Sequence, residues 1–504
     1  MSIGALALRG GGWQAATIAV QTLIQFVVVV VLARYVEPAE FGLVAVASMV
    51  TNFAMFFARG GLGPALVQRP SITSGHISSA FLASIALGLF CSGTIWLLGP
   101  FVAQYFRMPE GAGVIRLVGA SLAVTSFGLT AHSLLYREFR FDVLMRVEVT
   151  ALVLGNLIVA IPMAIAGYGA WAIAWGTMVQ AAARSLLLVV LRPHPMLQVG
   201  SRDELRELVR FGSGLTVAQL LNFAAAQGDF FVIGRMLGPT PLGLYERSFR
   251  LMQVPSNVVG EIVDRASFPL LSRLQDDNER LQRIFIHLNA LVVLALVPLM
   301  GFTIVMAPEI IAVLFGPDWD AVVLPFRILV GGLAFRSLAR LVDSLVRAKG
   351  AVYRNAGQKA IYAAAVIGGA IIGQRWGIEG VAAGTVLAII LHFVLMGRLA
   401  LALIGGSWWQ LISAHIPGWR CAAGLALLTW VVASLVRSVA DSSVVVLLAA
   451  VGTAAVAGIS AIAFFPRVLG DAPVWLARAM PGLSRSSFLP RRFHILAFGE
   501  ESAR

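Results

Sequence analysis

Apolar runs of membrane-spanning length follow one another along nearly the whole chain. A bilayer core needs about 20 mainly apolar residues per helix, and this length predicts about fourteen spans. The polar stretches between them are too short for a soluble catalytic domain, so the pattern predicts an all-α polytopic membrane protein and not an enzyme. We place the spans near residues 14–34, 42–65, 79–100, 113–135, 147–166, 168–191, 213–236, 245–270, 287–314, 321–346, 356–374, 377–404, 419–437 and 443–465.

Composition supports this class and removes several others. The 504 residues are 59% hydrophobic and 12% charged, whereas soluble domains are about a quarter charged. Both cysteines, Cys91 and Cys421, lie in apolar runs, so neither a disulfide framework nor a metal site is predicted. Neither lysine, Lys349 or Lys359, ends a G-x-x-x-x-G-K pattern, which excludes a P-loop ATPase. We therefore expect no catalytic residues, no metal and no cofactor.

The strong positive charge is explained mostly by membrane orientation. The chain has 38 Lys+Arg against 25 Asp+Glu, a net charge of +13. On a soluble protein this excess would suggest nucleic acid, but here the basic residues concentrate in alternate loops, as the positive-inside rule requires. The first apolar run has no early small-residue cleavage site, which favours an uncleaved first helix. We expect both termini to be cytoplasmic, and we expect no nucleic-acid partner.

Two segments recur in the same order along the chain. Residues 32–43 match 233–244 at a shift of 201, and residues 169–177 match 377–385 at a shift of 208. Parallel repeats that face a shared cavity are typical of alternating-access transporters. The repeats predict two six-helix bundles and a C-terminal extension, with bundles at 1–191 and 213–404, transmembrane helices 13 and 14 within 405–466, and a basic cytoplasmic tail at 467–504.

A charged segment at 192–212 separates the predicted bundles. Ser201 and Glu204 have the spacing of a capping box, and apolar residues follow at helical intervals. This pattern indicates an amphipathic helix on the cytoplasmic face. A solvated linker without helical structure stays open as the alternative.

Several ionisable residues fall inside predicted spans, where each costs several kcal/mol unless it faces a cavity or a partner. In the tenth span the spacing stacks Arg336, Arg340, Asp343 and Arg347 on one face. The eighth span gathers a second group within about a third of its circumference. That group consists of Arg247, Arg250, Glu261, Asp264 and Arg265.

An excess of guanidinium groups in a low-dielectric cavity implies an anionic guest, and the arginine fork fits phosphate oxygens. Other roles stay open for some of these residues. Arg247 and Arg347 lie near span ends, where their side chains can reach the headgroups. Asp264 beside Arg265, and Asp343 beside Arg340, can form internal ion pairs. We interpret His132 and Asn156 as polar residues that pack between helices.

The sequence resembles the WzxC-type polysaccharide transporters, which are lipid-linked oligosaccharide flippases of the MOP (multidrug/oligosaccharidyl-lipid/polysaccharide) superfamily. The similarity covers roughly residues 5–400 and lies in short segments of both halves. These segments are 32–43, 60–69, 229–255, 268–277 and 315–319. The last two spans and the tail carry no recognised motif.

The resemblance implies two six-helix bundles with two extra helices. It also implies export of undecaprenyl-diphosphate-linked repeat units across a bacterial inner membrane for exopolysaccharide, capsule or O-antigen synthesis. The implied partners are the polyprenyl-diphosphate-linked oligosaccharide, membrane lipids, a proton or sodium gradient, and a polymerase and chain-length regulator of the same pathway. The alternatives are a drug or lipid II exporter of the same superfamily, or a membrane glycan polymerase or ligase.

The family's cavity is regarded as cationic, and this implies a set of headgroup-binding candidates. They are Arg59, Arg116, Arg247, Arg250, Arg265, Arg336 and Arg340. Acidic residues on the same faces argue against a purely cationic lumen and are candidates for ion coupling. These are Asp229, Glu261, Asp264 and Asp343.

Overall fold

The structure is a computed structural model, and it describes residues 3–196, 222–464 and 466–479. Every regular element among these residues is a helix. By its internal contacts the chain forms two compact units, Met1–Glu246 and Arg247–Arg504. The predicted all-α class is confirmed.

The first unit contains seven helices along residues 3–191 and an eighth after the gap in the described residues. They are α1 (Ile3–Leu32), α2 (Pro38–Arg59), the short α3 (Leu62–Gln68), α4 (Ser74–Tyr105), α5 (Ala112–Arg137), α6 (Phe141–Ile165), α7 (Ala170–Leu191) and α8 (222–236). Residues Val153–Ala160 of α6 are π-helical. The long helix α9 (Pro239–Arg273) begins in this unit and continues into the next.

The second unit continues with eight further helices. They are α10 (Asn278–Leu314), α11 (Val323–Val330), α12 (Leu333–Ala348), α13 (Val352–Gly373), α14 (Gly377–Ile404), α15 (Trp408–Arg437), α16 (Ser443–Phe464) and α17 (Asp471–Ala479). The stretches Pro317–Val330 and Leu333–Ala348 are bent by 42° at the break between them.

Helices occupy the positions of the predicted spans wherever the structure describes them. By length and apolarity, nine helical stretches of the described residues can cross a membrane, or ten if the bent pair is one span. One of these stretches, Tyr353–Ile404, contains both α13 and α14. The chain is therefore a multi-pass membrane protein, while the number fourteen stays a prediction.

Polar caps mark the ends of several of these apolar helices. At the start of α4, the backbone N–H of His76 donates to Thr73 Oγ1 at 3.2 Å. At the start of α15, the N–H of Gln410 donates to Ser407 Oγ at 3.3 Å. Such caps satisfy N–H groups that have no partner within the helix, and they set where each span begins.

The two copies of the first repeated segment lie against each other. Gly42 in α2 faces the backbone carbonyl of Pro239, and Gly243 in α9 faces the backbone carbonyl of Pro38. A Cβ at either glycine would overlap that carbonyl oxygen. Equivalent residues of the repeat thus make a reciprocal backbone contact, which only glycine permits at both positions.

The second repeat also has the same local structure in both copies. Gly169 precedes α7 with a φ of 51°, and Gly377 begins α14 with a φ of 70°. L-residues with side chains rarely adopt such values, so glycine is favoured at both turns. The repeated glycines therefore mark equivalent helix starts in the two units.

Part of the predicted organisation falls where the structure gives no description. The predicted amphipathic helix at 201–211 and the tail beyond residue 479 lie outside the described residues. The boundary between the two contact units lies within α9. The predicted bundle boundaries at 191 and 213 stay a prediction.

Candidate functional site

A cavity of about 550 Å³ lies beside the C-terminal end of α2. We call it the Arg59 pocket. Its polar or ionisable lining residues come from five helices, α2, α3, α4, α5 and α7, and the remaining lining residues are mostly aliphatic. The polar or ionisable group consists of Arg59, Gln68, Ser84, Thr130, His132, Ser133, Tyr136 and Arg184.

The local sequence explains how these side chains meet. Helix α2 ends at Arg59 because Gly60 and Gly61 follow with left-handed backbone conformations, at φ values of 49° and 66°. On α5, His132 and Tyr136 are one turn apart and face the same way, with ring centroids 6.4 Å apart. Helix α7 adds Arg184 to the lining.

The charges around the pocket do not balance. Arg184 donates from Nε and from its terminal nitrogen to Glu148 Oε1 of α6, at 2.7 and 2.6 Å. Arg59, whose side chain is exposed, makes no ion pair with any described residue. Among the described residues, the Arg59 guanidinium group is therefore the one left without an acidic partner in this pocket, and it lies beside a histidine and a tyrosine hydroxyl.

This arrangement is suited to binding an anion. A guanidinium group presents a planar fork of N–H donors that matches phosphate or carboxylate oxygens. The pocket also offers the Tyr136 hydroxyl as a further hydrogen-bonding group. No group of three or more His, Cys, Asp or Glu side chains among the described residues has metal-binding geometry.

In the second unit, the predicted arginine face of α12 packs against α9. Arg340 donates to the backbone carbonyl of Ser256 at 3.4 Å and to Asn257 Oδ1 at 3.0 Å. Arg336 lies over the Phe249 ring, 5.3 Å from its centroid. Both arginines are half-buried. The structure therefore brings these two predicted residues to one helix–helix contact.

Asp343 lies one turn further along α12 and is surrounded by donors. Arg347 Nε is 3.1 Å from Asp343 Oδ2, and Lys359 Nζ is 3.5 Å from Oδ1. Asn355 Nδ2 also donates to Oδ1, at 2.6 Å. Arg347 further lies over the Phe268 ring, at 5.4 Å. This carboxylate is thus part of a cluster that joins α12 to α13.

Two other candidates of the first unit have local partners. Arg116 donates from Nε to the backbone carbonyl of Trp96 at 2.9 Å, and its guanidinium lies 4.5 Å from the Trp96 ring. Asp229, only 2% exposed, accepts a hydrogen bond from the Tyr245 hydroxyl at 2.6 Å. The Arg116 contact joins α4 to α5, and the Asp229 contact joins α8 to α9.

The remaining candidates lie on α9. Arg247 is buried, with 7% exposure, and Arg250 is exposed. The side chains of Glu261, Asp264 and Arg265 lie outside the described residues. The headgroup and ion-coupling roles predicted for all of these residues stay predictions.

Sequence reasoning missed part of the Arg59 pocket. Arg184 and Glu148 were not considered, although both fall inside predicted spans and the cost of intramembrane charge applies to them equally. His132 was interpreted as a packing residue, yet it lines the cavity with Tyr136. The free-energy cost of a charge inside the membrane, applied to every predicted span, identifies Arg184 and Glu148 as candidates too.

The fold is that of MOP-superfamily transporters. The lipid II flippase MurJ in its inward closed conformation superposes with a TM-score of 0.72, at 13% identity, over 90% of this chain and 99% of MurJ. An inward-facing multidrug resistance transporter of the MATE family superposes with a TM-score of 0.61, at 16% identity, over 76% of this chain and 94% of that protein.

The sequence comparisons then give the family. The chain belongs to the polysaccharide biosynthesis protein family, whose profile matches residues 31–324. The lipopolysaccharide biosynthesis protein WzxC of Escherichia coli K12 is 24% identical over 78% of this chain and 81% of its own length. The succinoglycan biosynthesis transport protein ExoT of Rhizobium meliloti is 29% identical over 62% of this chain and 63% of its own.

Proposed function

We propose that this protein is a flippase that moves undecaprenyl-diphosphate-linked oligosaccharide repeat units across a bacterial inner membrane by alternating access. The observation that carries the proposal is the Arg59 guanidinium, which has no ion pair within the described part of the chain and lines a cavity of a membrane transporter fold. Family membership and the relatives named for polysaccharide transport and lipopolysaccharide synthesis support a glycan cargo. The product would feed exopolysaccharide, capsule or O-antigen assembly.

The proposed binding step is electrostatic. A lipid diphosphate cannot cross hydrocarbon alone, because its charges would lose hydration without compensation. Arg59 compensates that loss by binding phosphate oxygens, while Glu148 keeps Arg184 occupied and limits the total positive charge. A single surplus cation binds the headgroup without holding it so tightly that release becomes slow.

Flipping assays on the full chain in vesicles test this proposal. The substrate is a fluorescent undecaprenyl-diphosphate oligosaccharide, and a membrane-impermeant reductant reports which leaflet holds the label. We expect wild-type vesicles to equilibrate the label. Because a hydrogen bond to a charged group is worth about 1.5–3 kcal/mol, Arg59→Ala should slow flipping by roughly ten-fold or more.

Arg146→Ala is the matched control, since Arg146 is exposed and pairs with Asp142 on the same helix turn. Its flipping rate should equal that of wild type. The absence of flipping by wild type would overturn the proposed function. A wild-type rate in Arg59→Ala would instead remove the Arg59 pocket from the mechanism, and an Arg336→Ala/Arg340→Ala double variant would then test the α12 face.

The remaining parts of the proposal concern energy and location. We place both termini in the cytoplasm, in accordance with the loop charges.

The proposed sites of proton or sodium coupling are Asp229, Glu261, Asp264 and Asp343. A polymerase and a chain-length regulator are the proposed pathway partners. A flipping rate that rises with an imposed proton or sodium gradient would support the coupling.

A further inference from the structure

A second cavity, of about 590 Å³, lies between α2 and α4 in the same unit. We call it the Phe chamber. Three phenylalanine rings line it, Phe53 and Phe57 from α2 and Phe90 from α4, and Leu87 and Leu98 lie among them. The exposed fractions of Phe53, Phe57 and Phe90 are 46%, 42% and 72%. Its size is within the range of cavities that hold a drug-sized ligand.

The chamber has almost no hydrogen-bonding capacity. The hydroxyl among its lining residues belongs to Thr94, and it already donates to the backbone carbonyl of Phe90 at 2.8 Å. A sugar placed there would bury several hydroxyl groups without partners, at a cost of about 1–3 kcal/mol each. The lining therefore selects hydrocarbon and rejects the glycan part of a cargo.

The Phe chamber and the Arg59 pocket adjoin. Leu62 of α3 lines both cavities, and Gly60, directly after Arg59, lines the chamber. On α4, Ser84 lines the pocket, and Ala83 and Leu87 line the chamber within one turn of it. A cationic site and an apolar cavity thus meet at the same turn.

This juxtaposition matches a molecule whose diphosphate is bonded directly to hydrocarbon. We propose that the Phe chamber binds the first isoprene units of the prenyl chain while the Arg59 pocket binds the attached diphosphate. The inference rests on the proposed function for its cargo. The occupant is the prenyl group of that cargo, and the rest of the long chain stays in the bilayer.

Binding of soluble prenyl diphosphates to the purified full chain tests the inference. The probes are inorganic pyrophosphate and the diphosphates with five, ten and fifteen carbons in the prenyl chain. Since each buried methylene strengthens binding by up to about four-fold, affinity in wild type should rise with chain length until the chamber is full. The affinity for inorganic pyrophosphate, which has no prenyl chain, should measure binding to the Arg59 pocket alone.

Phe57→Asn places a polar amide in the chamber and should flatten this rise, leaving the affinity for pyrophosphate unchanged. Phe57→Leu keeps the lining hydrocarbon and should retain most of the rise. Phe101→Asn is the control, because Phe101 lies on α4, is 67% exposed and lies outside the chamber lining. Melting temperatures of all variants show whether each one folds.

Two results would overturn the inference. One is the same dependence on chain length in Phe57→Asn as in wild type, with both proteins folded. The other is equal labelling of Phe90-containing peptides by a photoreactive phospholipid and by a photoreactive prenyl diphosphate. Equal labelling would show that bulk lipid occupies the chamber. Because these readouts measure binding, they stand apart from the flipping assay: a chain that binds but does not flip contradicts only the proposed function.

Discussion

At the scale of single residues, the function depends on which charges lack a partner. The sequence contains many arginines in predicted spans, but most of those described have a specific contact. Arg116 binds the Trp96 carbonyl, Arg184 binds Glu148, and Arg347 binds Asp343. A charge that is already compensated adds little affinity for a second anion. This distinction separates Arg59 from Arg116 and Arg184, which lie within other spans of the first unit.

Glu148→Gln should strengthen anion binding in the Arg59 pocket. The change removes the carboxylate that now occupies Arg184 and so adds one positive charge near Arg59. At an effective dielectric constant near 20, the gain should be on the order of 1 kcal/mol, or several-fold in pyrophosphate affinity. Calorimetric titration of the full chain with pyrophosphate measures it.

Glu138→Gln is the matched control for this prediction. Glu138 pairs with Arg192 at 2.7 Å, with similar exposure, but neither residue lines the pocket. We expect its pyrophosphate affinity to equal that of wild type. An equal gain in both variants would show that net charge, and not the pocket, determines the binding.

Tyr245→Phe should destabilise the fold. It removes the hydroxyl that donates to the buried carboxylate of Asp229, and a buried acceptor that loses a partner costs about 1–3 kcal/mol. Thermal unfolding in detergent should show a lower melting temperature. Tyr353→Phe, at a tyrosine that is 94% exposed, should leave the melting temperature unchanged. Equal melting temperatures for both variants would contradict the assigned contact.

At the scale of helices, the repeated glycines bring two backbones together. Gly243→Ala should weaken the contact between the starts of α2 and α9, because its Cβ would overlap the carbonyl of Pro38. A backbone atom cannot rotate away as a side chain can, so one helix must shift. Overpacking of this kind costs typically about 1–3 kcal/mol, and the melting temperature should fall accordingly.

Gly93→Ala provides the comparison, since Gly93 lies within α4 and a Cβ there meets no atom within 4 Å. Alanine has the higher helix propensity by about 1 kcal/mol, so this variant should be at least as stable as wild type. A Gly243→Ala protein as stable as Gly93→Ala would refute the backbone contact.

At the scale of the whole molecule, loop charges predict which segments face the cytoplasm. The chain has two cysteines, so Cys91→Ala and Cys421→Ala give a background without thiols. In that background, Asp276→Cys lies in a loop with Arg273, Arg280 and Arg283, which predict a cytoplasmic location. Asp318→Cys lies in residues 315–320, which contain no Lys or Arg and are predicted to form an outer loop. Both positions are exposed.

An impermeant maleimide added to intact spheroplasts should label position 318 and leave position 276 unlabelled. Disrupting the membrane should then expose position 276, which shows that the thiol is reactive. Labelling of position 276 in intact spheroplasts would contradict the predicted orientation. The expected pattern depends only on the lysine and arginine bias of the loops.

The sequence alone determined the all-α membrane class, the positions of the helices and the family resemblance. These properties follow from local quantities: the transfer free energy of a window of residues adds along the chain, and short motifs keep their spacing. Capping and turn residues such as Thr73, Gly169 and Gly377 could likewise be interpreted from their neighbours in the sequence.

Tertiary structure decided which of the intramembrane charges remain available. Arg59, Tyr136, Glu148 and Arg184 come from four helices, and only the rotation and packing of those helices brings them together. The same packing gave Asp343 its partners Asn355 and Lys359 from α13 and placed the Phe chamber beside the Arg59 pocket. Hydropathy is a property of one segment, whereas the compensation of a charge depends on atoms contributed by distant segments.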